Sequence, residues 1–164
     1  MSYMPSSMET LLKLYRISKA KYGGDFSGEG GKKGLGRWHH KGGAVIYTAS
    51  SVALAILETL VHTPITRQPR GRVLVSMALA EDIQVKYIDI STLDKNWHDY
   101  IALESTKTIG SEWLESYETA VLGVPSVVTK GAEMNYLINP LHPDAKAIKI
   151  VEIESYVFDK RLRK

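Results

Sequence analysis

Three polar side chains stand out by type and by spacing. Arg37 sits in a glycine-rich run beside Trp38, Tyr47 follows ten residues later in a short apolar run, and Glu58 comes eleven residues after that inside a mostly apolar segment. A guanidinium offers forked, charge-assisted donors that match phosphate oxygens. A tyrosine offers a flat apolar face with a polar tip, and a carboxylate can stabilise positive charge developing on a ligand. Together the set suits a ligand that carries phosphates, a flat ring and a positive centre. Taken singly, each has a plainer account: Arg37 as a surface arginine, Tyr47 as a core tyrosine with its hydroxyl satisfied, Glu58 as an acid facing water beside Thr59 and His62.

The elements that must position these groups follow from the pattern around them. Nine of the 13 glycines lie between Gly23 and Gly43. An interior glycine destabilises a helix by about 1 kcal/mol relative to alanine, so this segment reads as a long shaped loop, ordered by Phe26 and Trp38. Ala44–Thr48 reads as a buried strand. Ser50 and Ser51 offer N-cap oxygens for a helix running to His62, ended by Pro64. That helix is apolar almost all round, which predicts that most of it is buried. Its polar sector is Glu58, Thr59 and His62. Val73–Leu79, Val85–Ile90 and Glu133–Ile138 read as strands, and Ala120–Val128, with Pro125 inside, as an edge or bulged strand. Thr92–Ser105 and Ser111–Tyr117 read as two helices. Ile148–Phe158 alternates with a slip of phase near Ile150–Val151, the pattern of a strand with a bulge or a break. Strands outnumber helices and do not alternate with them, which predicts an α+β fold with a mixed sheet and flanking helices.

Composition narrows the chemistry. The chain has 164 residues, fitting a single domain over 1–164, with 21 Lys+Arg against 18 Asp+Glu and a net charge of +3. That charge is slight for a dedicated nucleic-acid binder, although a pI near 9.0 leaves room for a local patch. With no cysteine, disulfides, thiolate metal sites and a thiol nucleophile are excluded. The histidines His39, His40, His62, His98 and His142 lack a zinc-binding spacing, so no metal site is expected. The glycine run satisfies neither the phosphate-loop nor the dinucleotide-loop spacing and leads into a strand. No G-x-S-x-G elbow is present. No apolar stretch approaches the ~20 residues of a membrane span, and Met1–Thr10 lacks the pattern of a secretory leader. A cytoplasmic protein without membrane contact is the expectation.

The stretch LYRISKAKY…FSGEGGKKGLGRWHHKGGAVIYTASSVALAILETLVH and the later run AVLGVPSVVTKGAEMNYLINPLHPD resemble the RES domain, from about Leu14 to Leu162. The family is named for an arginine, a glutamate and a serine. The resemblance implies a fold similar to that of ADP-ribosyltransferase toxins. It implies the toxin of a bacterial toxin–antitoxin pair that cleaves the nicotinamide–ribose bond of NAD⁺, by phosphorolysis or hydrolysis. NAD⁺ is then a substrate, inorganic phosphate a candidate co-substrate, and no resident cofactor is expected. The implied partner is a helix-turn-helix antitoxin of the Xre type, through which alone the toxin meets nucleic acid. By the same resemblance Arg37, Tyr47 and Glu58 are the catalytic set, and Arg16, Trp38, Ser126 and Asn135 hold substrate. Asn135 also reads as a turn or strand-end residue, and Ser126 as a strand-edge hydroxyl. The chain departs from the family at His39, where asparagine is usual, and in the basic Lys32, Lys33, His40 and Lys41. Two rival readings are a mono-ADP-ribosyltransferase with a protein acceptor and a non-enzymatic nucleic-acid-binding module.

Overall fold

The computed structural model describes residues 12–34 and 36–163; the reading of Met1–Thr10 lies outside them. Strands β1 (Lys13–Lys19), β2 (Ile46–Ala49), β3 (Arg72–Leu79), β4 (Val85–Tyr87), β5 (Val121–Pro125), β6 (Met134–Ile138) and β7 (Ile148–Tyr156) form one seven-stranded sheet in the order β4-β5-β6-β2-β1-β3-β7. β4 and β5 run parallel and every other neighbouring pair antiparallel. Among the described residues three α-helices accompany it: α1 (Glu29–Lys33), α2 (Val52–Val61) and α3 (Glu104–Ser116). This is the expected α+β class with a mixed sheet.

One junction shapes the molecule. β1 pairs with β3 along its whole length, and β2 pairs with β6 from Ile46 to Ala49. Between them, β1 and β2 meet only at Tyr15 opposite Ala49. Extending that register would set Arg16 against Thr48 and Ile17 against Tyr47; the strands instead part, leaving a gap in the sheet.

Apolar side chains cover both faces beside this gap. Leu14, Val75 and Met77 meet Ile46, Val121, Tyr136 and Ile138 in one cluster. On the other face Leu122, Val124 and Leu137 pack with Val45, Trp38, Trp97, Trp113 and Leu114. β5 is therefore buried at every residue, which is why it reads as an unbroken apolar run. β7 carries the expected bulge: Met77 faces Ile150 while Ser76 faces Glu152, so Val151 is the extra residue.

Several expectations are corrected. β5 is an interior strand, flanked by β4 and β6. Pro125 is tolerated because β4 pairs only as far as Gly123, so the missing N–H lies beyond the ladder. The helix expected over 92–105 is a single 3₁₀ turn, Ile90–Thr92, followed by turns. Asp89 caps that turn through Ser91 N, and Asp94 holds Ser105 Oγ at 2.6 Å. The second helix, expected over Ser111–Tyr117, begins at Glu104 and buries Thr106, Gly110, Trp113 and Leu114, one helical face. The glycine run is a loop except for α1, a helix of five residues. α2 buries only Leu54, Ala55 and Leu60, and its Leu57 and Val61 are exposed. It lies on the surface because one face is enough to cover the cluster around Ala49, Tyr15 and Ile17.

Gly110 lies inside α3 and serves a close approach. A Cβ there would sit 1.5 Å from the Trp38 carbonyl oxygen. Helix propensity alone favours Gly110→Ala by about 1 kcal/mol. The backbone clash reverses the sign, and the substitution is expected to destabilise by about 2 kcal/mol or more. Denaturant midpoints check this; an unchanged or raised midpoint contradicts the packing.

Candidate active site

The gap between β1 and β2 opens into a cleft of about 980 Å³, at the upper end of the size of small-molecule sites. One wall is Tyr15–Ser18, another Ile46–Ala49, and the glycine loop and α2 complete it. Arg16, Arg37, Tyr47, Glu58, Trp38 and Asn135 all line it.

Glu58 is brought there by α2. Ser51 caps the helix, its Oγ accepting from Leu54 N at 3.1 Å. The sector Glu58, Thr59 and His62 then faces the cleft, opposite to the plain reading of a solvated face. Glu58 Oε1 accepts from Ser126 Oγ at 3.0 Å and from Asn135 Nδ2 at 2.8 Å. These donors come from just past the end of β5 and from β6, so the carboxylate is fixed by the far half of the sheet. Its Oε2 lies 3.9 Å from His62 Nε2.

Ser126 is 0 % exposed and its hydroxyl is donated to Glu58, so it acts by holding the acid. The expected direct contact with substrate is not the role its geometry gives it. Trp38 is likewise a core side chain, 3 % exposed, with its ring 6.5 Å from that of Trp97. Asn135 Oδ1 is buried and without a partner.

Arg37 donates from Nη1 to Trp97 O at 3.0 Å and from Nη2 to Asp99 O at 2.8 Å. Burial lowers its pKa, while the charges of Glu58 and Asp99 act in the opposite direction. Arginine and glutamate thus sense each other across the cleft. Arg16 donates to Tyr22 O at 3.0 Å; burial lowers its pKa too, offset in part by Asp25. The Tyr47 hydroxyl accepts from Trp38 N at 3.3 Å and lies 2.7 Å from His39 Nδ1. Its burial pushes the phenol's pKa up, so it stays protonated.

Two glycines make this packing feasible. A Cβ on Gly31 would lie 2.6 Å from a Val45 methyl, and one on Gly36 would lie 2.5 Å from the Tyr47 hydroxyl. The loop is also tied down at its end: His40 N bonds Ser111 Oγ at 2.9 Å and His40 Nε2 bonds Glu104 Oε2 at 2.8 Å. The sequence reading missed Arg72, a further cleft-lining cation whose Nε is buried without a partner; its place at a strand start gave no signal. Among the described residues no cluster of three or more His, Asp or Glu could hold a metal ion, and no helix is long and apolar enough to cross a membrane.

The RES domain model matches residues 13–159. The chain belongs to the RES domain family. It is similar to the Prs ADP-ribosylating toxin of Sphingobium sp., 40% identical over 84% of this chain and 86% of that protein. It is similar also to Toxin Res of Photorhabdus laumondii, 37% identical over 92% and 97%, and to Toxin Res of Yersinia enterocolitica, 38% identical over 93% and 100%. Its fold matches a chain of the M. tuberculosis MbcT–MbcA toxin–antitoxin complex, with a TM-score of 0.68 at 15% identity, covering 87% and 82% of the two chains.

Arg37 holds the segment around Trp97 and Asp99 against this RES domain's cleft by two bonds to backbone oxygens. Arg37→Ala is expected to raise amide hydrogen exchange over residues 97–101 and leave the sheet's protection unchanged. Global unfolding of the variant contradicts this and makes Arg37 a structural residue of the core.

Proposed function

We propose that this chain is the toxin of a toxin–antitoxin pair, acting in the cytoplasm, and that it destroys NAD⁺ by breaking the bond between nicotinamide and ribose. The observation that carries the reading is Glu58: a carboxylate held by two donors in the lining of a cleft of about 980 Å³ that Arg16, Arg37 and Tyr47 also line. Two features support the wider role. Curated relatives of similar length are named Toxin Res, and the matched fold comes from a toxin–antitoxin complex. The partner proposed is an Xre-type helix-turn-helix antitoxin that covers the cleft.

The chemistry follows from charge. The C–N bond breaks with its electron pair going to the pyridine nitrogen, and nicotinamide leaves neutral without a general acid. Positive charge builds on the ribose, where a preorganised anion stabilises an oxocarbenium-like transition state. Glu58 supplies that anion, and Ser126 and Asn135 keep it in place. Arg37 and Arg16 hold phosphate oxygens. Tyr47 sits beside the nicotinamide–ribose end. With water the products are ADP-ribose, nicotinamide and a proton; with inorganic phosphate they are ADP-ribose 1″-phosphate and nicotinamide.

A second reading has a specific observation behind it: the relative at 40% identity is named an ADP-ribosylating toxin. The same bond breaks, nicotinamide leaves, and a protein side chain takes the ADP-ribosyl group and gives up a proton.

Product analysis of labelled NAD⁺ with the purified protein, with and without phosphate, separates these outcomes. Free ADP-ribose or its 1″-phosphate supports destruction, label on a protein supports transfer, and intact NAD⁺ rejects both. Glu58→Gln keeps an oxygen for Ser126 and Asn135 while removing the charge. It is expected to lower turnover by about two to three orders of magnitude with the fold intact; wild-type turnover would remove Glu58 from the mechanism.

A further inference from the structure

His39, to which the sequence assigns no role, is built tightly into the cleft lining. It is 3 % exposed. Its Nε2 lies 2.9 Å from Gly31 O in α1, and its Nδ1 lies 2.7 Å from the Tyr47 hydroxyl. The backbone of the same residue is pinned as well, His39 O accepting from Gly36 N at 3.3 Å. Ion pairs among the described residues involve His40, His62 and His142 but not His39.

Hydrogen-bond bookkeeping fixes the direction of each bond. A carbonyl oxygen can only accept, so the proton of the neutral ring is on Nε2. Nδ1 then carries a lone pair and can only accept. The Tyr47 O–H must point at His39. One lone pair of the Tyr47 oxygen is taken by Trp38 N–H at 3.3 Å. A hydroxyl has one donor and two acceptor positions. What remains for the cleft is a single lone pair.

From this geometry we infer that His39 is a positioning residue that makes Tyr47 an obligate hydrogen-bond acceptor toward the ligand, while tethering α1 to the cleft. Tyr47 neither donates to a substrate oxygen nor delivers a proton; it receives an N–H or O–H. In the proposed substrate, the groups of that kind at the reacting end are the carboxamide N–H of nicotinamide and the ribose hydroxyls. The assignment of the ligand rests on the function proposed above; the bond directions do not. Gly36 belongs to the same device, since its missing Cβ leaves room 2.5 Å from the Tyr47 oxygen and 3.1 Å from His39 Nδ1.

Two readouts test it. Nitrogen-15 spectra of the full chain report the tautomer without reference to activity. The expected result is a protonated Nε2 and an unprotonated Nδ1 on His39, with Nδ1 shifting in Tyr47→Phe; a protonated Nδ1, in the neutral ring or in the cation, overturns the proposal. The second readout is kinetic. His39→Asn keeps an acceptor where Nδ1 lies, His39→Gln keeps a donor reaching for Gly31 O, and His39→Ala keeps neither. Expected are a roughly tenfold loss of kcat/KM in His39→Ala, most of it recovered in His39→Asn and not in His39→Gln. In a Tyr47→Phe background His39→Ala and His39→Asn should have equal activity. A further loss of the same size in that background means that His39 acts through the fold, and the proposal fails. If His39→Ala does not fold, the contrast of His39→Asn with His39→Gln decides. If no variant and no wild-type protein turns over NAD⁺, the proposed function falls while the tautomer still judges the relay.

Discussion

A carboxylate cannot be held half out of water without donors, and the way Glu58 obtains them organises this molecule. The acid rides on α2, which packs against the β1 end of the gap, through Tyr15 and Ile17. Its donors, Ser126 and Asn135, belong to the β5–β6 side. The pair of bonds to Oε1 therefore reaches across the place where β1 and β2 separate after a single residue pair. Had the two strands stayed paired there would be a continuous sheet and no cleft. Because they part, Arg16, Tyr47 and Glu58 line one space.

The glycine loop is the second requirement. It must pass over Val45 and the Tyr47 hydroxyl at distances that exclude a side chain, and Gly31 and Gly36 permit this. Its other residues then anchor it: His39 to Tyr47 and α1, His40 to Ser111 and Glu104, Arg37 to the carbonyls of Trp97 and Asp99. What reads in sequence as a permissive, basic loop is a fixed wall, held by Arg37, His39 and His40.

The sequence made most of the site legible because its signals are local. Ser51 before an apolar run and Pro64 after it mark α2 with nearly correct ends, and the slip of phase at Val151 is a real bulge. What was not legible depends on contacts distant along the chain. The interior position of β5 is set by its parallel pairing with β4, a strand legible in sequence whose partner is not. Trp97 and Tyr100 are spaced as in a helix, yet Trp97 is buried and Tyr100 wholly exposed in a segment of turns. Gly110 sits inside α3 because it admits the Trp38 carbonyl, a contact 72 residues away along the chain. The roles of Ser126 and Trp38 were assigned to the ligand, but burial directs both inward, one to Glu58 and the other to the core. No local pattern distinguishes a serine that touches substrate from one that touches the acid.

The account reduces to where a pyridine nucleotide sits. A crystal structure of the Glu58→Gln variant soaked with NAD⁺ measures it most directly. The account predicts the nicotinamide ribose over the side chain at position 58, the pyrophosphate against Arg16 and Arg37, and a ligand N–H or O–H directed at the Tyr47 oxygen. A nucleotide bound outside the gap between β1 and β2, or one with its reacting sugar turned away from position 58, contradicts it.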